Sequence, residues 1–207
     1  MLTLTPMLTL NKQPIARRSF LLGLTSTMVA GPAFALDKAR ATQLVDRLVA
    51  EINRTINFGG SEAKLLRAFE NIFAQYADVN IIARSALGPA ARSASSSELS
   101  AFILAFRGYI ARKYGKRFQE FIGSEIVVKG TKNRGKFFEV DASVRLEGIT
   151  PFEVSFRVSD RSGENLFFDI IIEGISLLSS ERVEIGALLD ARNGNIARLT
   201  RDLVNLG

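Results

Sequence analysis

The sequence predicts an α+β protein in which helices precede and follow one antiparallel sheet. Up to about residue 121, the apolar residues recur every three or four positions, which is typical of amphipathic helices. From residue 126 they recur at every second position, which is typical of strands with one buried face. After residue 182 the helical period returns. Consecutive strands joined by short turns pair antiparallel, so we expect the helices to pack on one concave face of this sheet.

Residues 1–35 are predicted to be an export signal and are set aside from the fold. Lys12, Arg17 and Arg18 give a positive start, and residues 20–29 form an apolar run without a charge. The triplet Ala33-Phe34-Ala35 has the small-x-small pattern that precedes a signal-peptidase cut. We therefore expect the mature chain to begin at residue 36 and to lie outside the cytoplasmic membrane, in the periplasm.

The export route is predicted from the pair Arg17-Arg18, which stands directly before Ser19-Phe20-Leu21. This arrangement is typical of a twin-arginine signal, which carries folded cargo. An ordinary Sec signal and an uncleaved anchor remain alternatives. The anchor is the weakest of the three, because the apolar run is shorter than the roughly 20 residues that cross a bilayer.

The composition of the mature chain excludes several classes of function. The whole chain has 27 Lys and Arg against 21 Asp and Glu, and removing the three basic residues of the signal leaves 24 − 21 = +3. No dense basic stripe suggests a nucleic-acid partner. The chain has no Cys and no His, which excludes disulfides, thiolate metal sites and histidine chemistry. We predict one domain over residues 36–207, no catalytic residues and no metal site.

Capping residues divide the first half of the mature chain into four predicted helices. The first begins after Asp37 and ends at Gly59-Gly60, and the second follows Ser61. Asp78 caps a third helix, which Gly88-Pro89 ends. A capping box of Ser95 with Glu98 begins the fourth, which has the longest apolar stripe and is expected to reach as far as Phe121.

Strands and two closing helices are predicted for the second half. We expect strands over residues 126–129, 138–146 and 152–158, a hairpin turn at 160–163 and one long strand over 166–178. One closing helix carries Val183, Ile185, Leu188 and Leu189 inward, and the last carries Ile196, Leu199, Leu203 and Val204.

Strand carboxylates are the one catalytic alternative that the sequence leaves open. Asp141, Asp169 or Glu173 in an apolar cavity could act as a base, as in an isomerase or hydratase. Strand alternation instead predicts that the side chains of Asp141 and Asp169 lie on a solvated sheet face, opposite the apolar residues. A solid-cored adaptor that binds only protein is a further alternative.

Three groups of residues carry a resemblance to a known family. The groups are Asp78 with Ile82-Ala83-Arg84 and Leu87-Gly88; Phe102, Phe106, Tyr109 and Tyr114; and Asp169-Ile170-Ile171-Ile172-Glu173-Gly174-Ile175-Ser176-Leu177 followed by Arg182. Through them, residues 37–206 resemble the MlaC-like, or toluene-tolerance, family of periplasmic phospholipid-binding proteins. This chain departs from the family pattern at residues 77–79, 89–91 and 165.

The resemblance implies a fold, a ligand and partners. The fold would be an NTF2-like α+β cone with a curved, mainly antiparallel sheet, and the ligand a phospholipid whose acyl chains lie in a pocket. No cofactor is implied. The partners would be an inner-membrane ABC lipid transporter and an outer-membrane lipoprotein complex, with only transient membrane contact and a role in outer-membrane lipid asymmetry.

Candidate lipid-binding residues are the apolar residues expected to face the space between helices and sheet. From the helices they are Phe69, Phe73, Tyr76, Val79, Ile82, Phe102, Phe106 and Tyr109. From the sheet they are Val140, Val144, Val154, Phe156, Ile170 and Ile172. Residues of a solid core have the same periodicity, so the spacing leaves core and pocket open for each of them.

Overall fold

The computed structural model of the protein describes residues 36–58, 60–116 and 123–207. The expected export signal at residues 1–35 lies outside the described residues, and so does the expected extension of the fourth helix to Phe121. No helix in the three described ranges is long and apolar enough to cross a membrane.

Five helices form the first half of the described chain. They are α1 (Lys38–Phe58), α2 (Glu62–Tyr76), α3 (Val79–Leu87), α4 (Ala90–Ser93) and α5 (Ser96–Gly115).

Three of the four predicted caps are present, whereas the side chain of Ser61, at the start of α2, makes no cap hydrogen bond. Asp37 accepts a hydrogen bond from the backbone of Arg40 at 2.8 Å, and Asp78 caps α3 through the N–H of Ile81 at 3.0 Å. The capping box of Ser95 is complete. These caps satisfy N–H groups that lack a partner within the helix, so local sequence defines where the helices begin.

Five strands form one antiparallel sheet in the order β1-β2-β3-β4-β5. They are β1 (Glu125–Asn133), β2 (Phe138–Leu146), β3 (Ile149–Ser159), β4 (Leu166–Ile172) and β5 (Ile175–Ser176). The predicted α+β class, with a curved antiparallel sheet between N-terminal and C-terminal helices, is confirmed.

The prediction of one long strand over residues 166–178 is wrong. Strand β4 ends at Ile172, and the chain reverses through Glu173 and Gly174, whose φ angles are +48° and +80°. Two consecutive left-handed residues make a tight hairpin turn, so Ile175 pairs back with Ile172. Helix α6 then begins directly after β5.

Two helices close the chain, α6 (Leu177–Asp190) and α7 (Ile196–Leu203). Helix α6 packs on α3, and α7 packs on α5. The prediction that Val183 and Val204 face inward is wrong, because they are 75% and 58% exposed. Their neighbours Ile185 and Leu203 are fully buried, as expected.

The core lies between the sheet and the helices. Helix α1 packs on β1, β2 and β3, where Val140 and Ala142 are fully buried. Helix α5 contributes Phe102 and Phe106 to the core, which are fully buried and have ring centroids 5.8 Å apart. The space between these two packed regions contains the site described next.

Candidate ligand-binding site

An apolar cavity of about 260 Å³, partly open to solvent, lies between the helices and strands β3 and β4. Its wall combines side chains from α1, α2, α3 and α5 with the two strands and the first turns of α6. The lining residues are Leu48, Ile52, Phe69, Ile72, Phe73, Ile82, Ile110, Tyr114, Phe156, Phe167, Phe168, Asp169, Ile170, Ile172, Leu177, Leu178 and Glu181. Among these described residues only Asp169 and Glu181 are charged.

A row of aromatic rings connects the helical wall to the sheet wall. Phe69 and Phe73 are stacked on α2, with ring centroids 6.3 Å apart and an interplanar angle of 5°. The ring centroids of Phe73 and Phe167 of β4 are 6.4 Å apart. Phe167 packs edge-on against Phe156 of β3, with ring centroids 6.1 Å apart. Such rings give a large apolar surface with few rotatable bonds.

Six of the fourteen sequence-predicted binding residues lie together in this wall. They are Phe69, Phe73, Ile82, Phe156, Ile170 and Ile172. Four elements bring them together: α2 and α3 on one side, and the paired strands β3 and β4 on the other. In these strands Phe156 stands opposite Ile170, and Val154 stands opposite Ile172.

The other eight predicted residues lie outside this wall, and contact with a ligand stays a prediction for all fourteen. They are Tyr76, Val79, Phe102, Phe106, Tyr109, Val140, Val144 and Val154. All but Val79 are buried in the core. Val79 lines a second cleft of about 400 Å³ between α3, α5 and the β3–β4 turn, whose wall includes Asp78, Asn80 and Arg107.

Several wall residues were missed by sequence reasoning. Leu48 and Ile52 belong to the apolar stripe of α1, and Ile110 and Tyr114 to that of α5, but no spacing rule separates them from core. Leu177 and Leu178 were assigned to the long strand. The turn at Glu173-Gly174, followed by the N-cap Ser176, whose hydroxyl accepts from the N–H of Ser179 at 3.0 Å, is the signal that places them at the start of a helix.

Asp169 corrects the expectation of a solvated carboxylate. It stands opposite Arg157, on the sheet face away from Phe156, but it is only 4% exposed because the chain after β5 covers it. Its carboxylate accepts hydrogen bonds from Arg157 Nη1 at 3.2 Å, Ser176 Oγ at 2.8 Å and the N–H of Leu178 at 3.0 Å. With both oxygens engaged, Asp169 holds the start of α6 against the sheet.

Asp141 lies on the outer sheet face, as expected, and is half-buried. It accepts a hydrogen bond from Ser155 Oγ at 2.8 Å and pairs with Lys132 Nζ at 2.7 Å. Burial acts to raise the pKa of Asp141, but the hydrogen bonds and charge of these partners outweigh it and lower the pKa below its usual value.

A second row of charges crosses the same outer face. Arg134 Nη2 pairs with Glu139 Oε1 at 2.6 Å, and Arg157 Nε approaches Glu139 Oε2 at 3.5 Å. Arg157 in turn pairs with Asp169. The alternating charges connect the β1–β2 turn with the segment that begins α6.

Five residues of α5 and α6 form a polar cluster at one end of the cavity: Tyr109, Lys113, Tyr114, Glu181 and Glu184. Lys113 Nζ donates to Glu181 Oε1 at 2.6 Å and to Glu184 Oε2 at 2.5 Å. Tyr109 donates to Glu184 Oε1 at 2.7 Å, and Tyr114 donates to Glu181 Oε1. The cluster therefore joins the two helices through charge-assisted hydrogen bonds.

The environment of this polar cluster fixes its protonation at neutral pH. Burial and the neighbouring glutamates raise the pKa of both Tyr109 and Tyr114 far above the usual value, so both phenols keep their protons. Burial acts to lower the pKa of Lys113, but hydrogen bonds to the glutamates raise it. For Glu184, burial acts to raise the pKa, and Lys113 and Tyr109 lower it more.

In the described part of the chain, no group of three or more acidic residues is arranged to hold a metal ion. Apart from Glu181 Oε2, which has no hydrogen-bond partner among the described residues, the charged groups at the cavity are instead paired with one another or with the backbone. The arrangement can therefore bind an elongated apolar molecule and present polar groups at one end of it.

Comparison with known proteins gives two matches. The family described as MlaC protein matches residues 42–205 of the chain. Among solved structures, the chain is similar to the phospholipid-binding protein from Ralstonia solanacearum, which was solved in complex with a phospholipid. The two share 18% sequence identity and superpose with a TM-score of 0.68, over 79% of this chain and 94% of that chain. At this level of identity the likeness is one of fold.

Proposed function

Because the chain belongs to the MlaC family, we propose that it is a periplasmic phospholipid-binding protein that carries lipid between membrane-bound partners of an ABC lipid-transport system. The apolar cavity is the observation that carries this proposal. Its aliphatic and aromatic wall suits acyl chains, and the polar cluster stands at one end, where a headgroup would meet polar groups.

The energetics of acyl-chain burial explain why such a cavity retains lipid. Each buried methylene contributes about 0.8 kcal/mol, so a chain of roughly 15 carbons gains about 12 kcal/mol over water. Loss of lipid into water is therefore very slow. Transfer into another apolar site is nearly balanced, because the chain stays dehydrated throughout, so release requires contact with a partner.

The cavity must widen to hold a phospholipid. Its volume of about 260 Å³ is below the roughly 300–1,000 Å³ found for pockets that hold drug-sized ligands. One wall consists of helices and the other of β3 and β4, so separation of the helices from the sheet admits acyl chains. The proposed partners are an inner-membrane ABC transporter and an outer-membrane lipoprotein complex, with the direction of transport set by the ATPase.

The enzyme alternative is disfavoured by the partners of Asp169. A strand carboxylate that acts as a base needs a free oxygen directed at its substrate. Both oxygens of Asp169 accept hydrogen bonds within the protein. The proposed function therefore includes no catalytic residue.

Extraction of the purified mature protein with organic solvent, followed by mass spectrometry, tests the proposal. A shuttle should release phospholipid in an amount close to stoichiometric with the protein. Protein that is folded but releases no phospholipid, and that takes none up from vesicles, would contradict the proposed function.

Localisation is tested separately through the predicted export signal. Replacement of both Arg17 and Arg18 by Lys should block export through the twin-arginine route, because an ammonium does not reproduce the hydrogen-bonding fork of a guanidinium. Cell fractionation measures the result. Normal export of the double variant would indicate the Sec route, and retention of wild-type protein in the cytoplasm would contradict periplasmic localisation.

A further inference from the structure

Glu181 differs from the other charged residue in the cavity wall because one of its oxygens is unused. Its side chain is 3% exposed, and Oε1 accepts hydrogen bonds from Lys113 and Tyr114. Oε2 is buried and has no hydrogen-bond partner among the described residues. A buried oxygen without a partner destabilises the ligand-free protein, so a ligand that donates a hydrogen bond to it gains binding free energy.

The charges of the polar cluster decide which ligand group fits this oxygen. Lys113 contributes +1 and its two glutamate partners contribute −2, so the cluster carries −1 in total. Its phenol and ammonium donors already point at the glutamates. What the cluster offers to a ligand is therefore an acceptor in a negative environment. A cationic group that carries N–H donors satisfies both conditions.

We propose that Glu181 Oε2 receives the ammonium of a phospholipid headgroup, so that the protein selects phospholipids with a primary amine. This inference rests on the proposed function and names the headgroup class for the same cavity. A choline headgroup carries the same positive charge but has no N–H, so it leaves Oε2 unpaired. A glycerol headgroup has hydroxyl donors, but its lipid has a net negative charge that the cluster repels.

Competition between headgroups on matched acyl chains tests the inference. The mature protein, stripped of co-purified lipid, is incubated with vesicles containing equal amounts of phosphatidylethanolamine, phosphatidylcholine and phosphatidylglycerol. It is then re-isolated, and its lipid is identified by mass spectrometry. One additional hydrogen bond to a carboxylate predicts enrichment of phosphatidylethanolamine by at least about fivefold over either competitor.

Two variants form a matched pair for this assay. Glu181→Gln removes the charge from the cavity wall and should bring the bound lipid close to the vesicle composition. Glu184→Gln removes a charge that pairs with the same lysine, but Glu184 lies outside the wall, so the enrichment over phosphatidylcholine, which depends on N–H donors and not on charge, should persist. Equal loss of this enrichment in both variants would overturn the assignment to Glu181.

The wild-type protein provides a readout that needs no variant to fold. Successive N-methylation of the ethanolamine headgroup removes its N–H donors while the positive charge stays, so enrichment should fall with each methyl group. Uptake of all three lipids in their vesicle proportions would overturn the inference and leave the proposed function standing. Absence of any uptake would contradict the proposed function itself.

Discussion

Ile170 and Ile171 are neighbours on β4 with different surroundings. Ile170 stands opposite Phe156 and lines the cavity. Ile171 projects to the other face of the sheet, where it stands opposite Ser155 and Ser176 and takes no part in the cavity wall. The pair therefore separates the effect of a side chain inside the cavity from its effect on the strand.

Replacement of Ile170 by Trp should fill the cavity and reduce the phospholipid that co-purifies with the protein several-fold. The free energy of unfolding should change by less than the roughly 1–3 kcal/mol typical of overpacked cores, because the larger ring enters unfilled space. Mass spectrometry of extracted lipid and urea unfolding measure the two effects. The matched variant Ile171→Trp should keep its lipid, and equal lipid loss in both variants would contradict our placement of the acyl chains.

For single residues, burial is easier to predict from the sequence than contact with the cavity. Phe69 and Phe73 recur at the same spacing as Phe102 and Phe106, and all four are aromatic residues on amphipathic helices. The first two line the cavity, and the last two pack in the core beside Tyr109. Helix α5 lines the cavity with Ile110 and Tyr114 instead, and no local spacing encodes which turn of a helix reaches the cavity.

The turn between β4 and β5 determines where α6 begins. Gly174 has a φ angle of +80°, and a Cβ atom added there would meet nothing within 4 Å. Any cost of a side chain at this position is therefore conformational and not steric. Because the segment that follows includes Ser176, whose hydroxyl donates to Asp169, strain at the turn acts directly on the start of α6.

Gly174→Ala should lower the free energy of unfolding by about 1–2 kcal/mol, the cost of holding a residue with a Cβ in a left-handed conformation. Urea unfolding measures the change. Gly186 in α6 is the matched control, because an added Cβ there also meets nothing and its φ is not positive. Gly186→Ala should stabilise the protein by about 0.5–1 kcal/mol. Destabilisation of equal size in both variants would show that the turn geometry is not the cause.

Helix starts that are marked by capping residues could be predicted from the sequence, except that of α6, whose cap Ser176 follows the β4–β5 turn. Asp78 and Ser95 define helix starts by hydrogen bonds within four residues, so the relevant physics is local. Glu173 adopts a positive φ, which is uncommon for a residue with a Cβ, and tertiary contacts stabilise it there. One such contact is the hydrogen bond from the N–H of Glu153 to Glu173 Oε1 at 2.8 Å.

The whole molecule has no histidine, so its carboxylates dominate the dependence of stability on acid. The pKa values of Asp141 and Glu184 are lower in the folded protein than their usual values. A lowered folded-state pKa stabilises the fold at pH values above the unfolded-state pKa, which is about 3.9 for Asp and 4.3 for Glu. This stabilisation is lost as the pH falls from there through the folded-state values.

The free energy of unfolding should therefore decline as the pH is lowered below about 5, and Asp141→Asn should make the decline shallower. Urea unfolding at a series of pH values between 6 and 3 gives the slope. Replacement of its ion-pair partner, Lys132→Gln, should flatten the curve in the same direction, because the carboxylate loses the charge that lowers its pKa. If both variants had a slope as steep as that of the wild type, the pH dependence of stability could not be assigned to the ion pair of Asp141 and Lys132.

All three tyrosines of the protein donate a hydrogen bond to a glutamate: Tyr76 to Glu51, and the other two within the polar cluster. The chain has no tryptophan, so its ultraviolet emission comes from these three phenols alone. A carboxylate that accepts the phenol proton quenches tyrosine fluorescence, and the protein in this conformation is therefore dim. Separation of α6 from α5 would free two of the three phenols and brighten the emission. The protein thus carries an intrinsic optical signal of the contact between these two helices, without any attached dye.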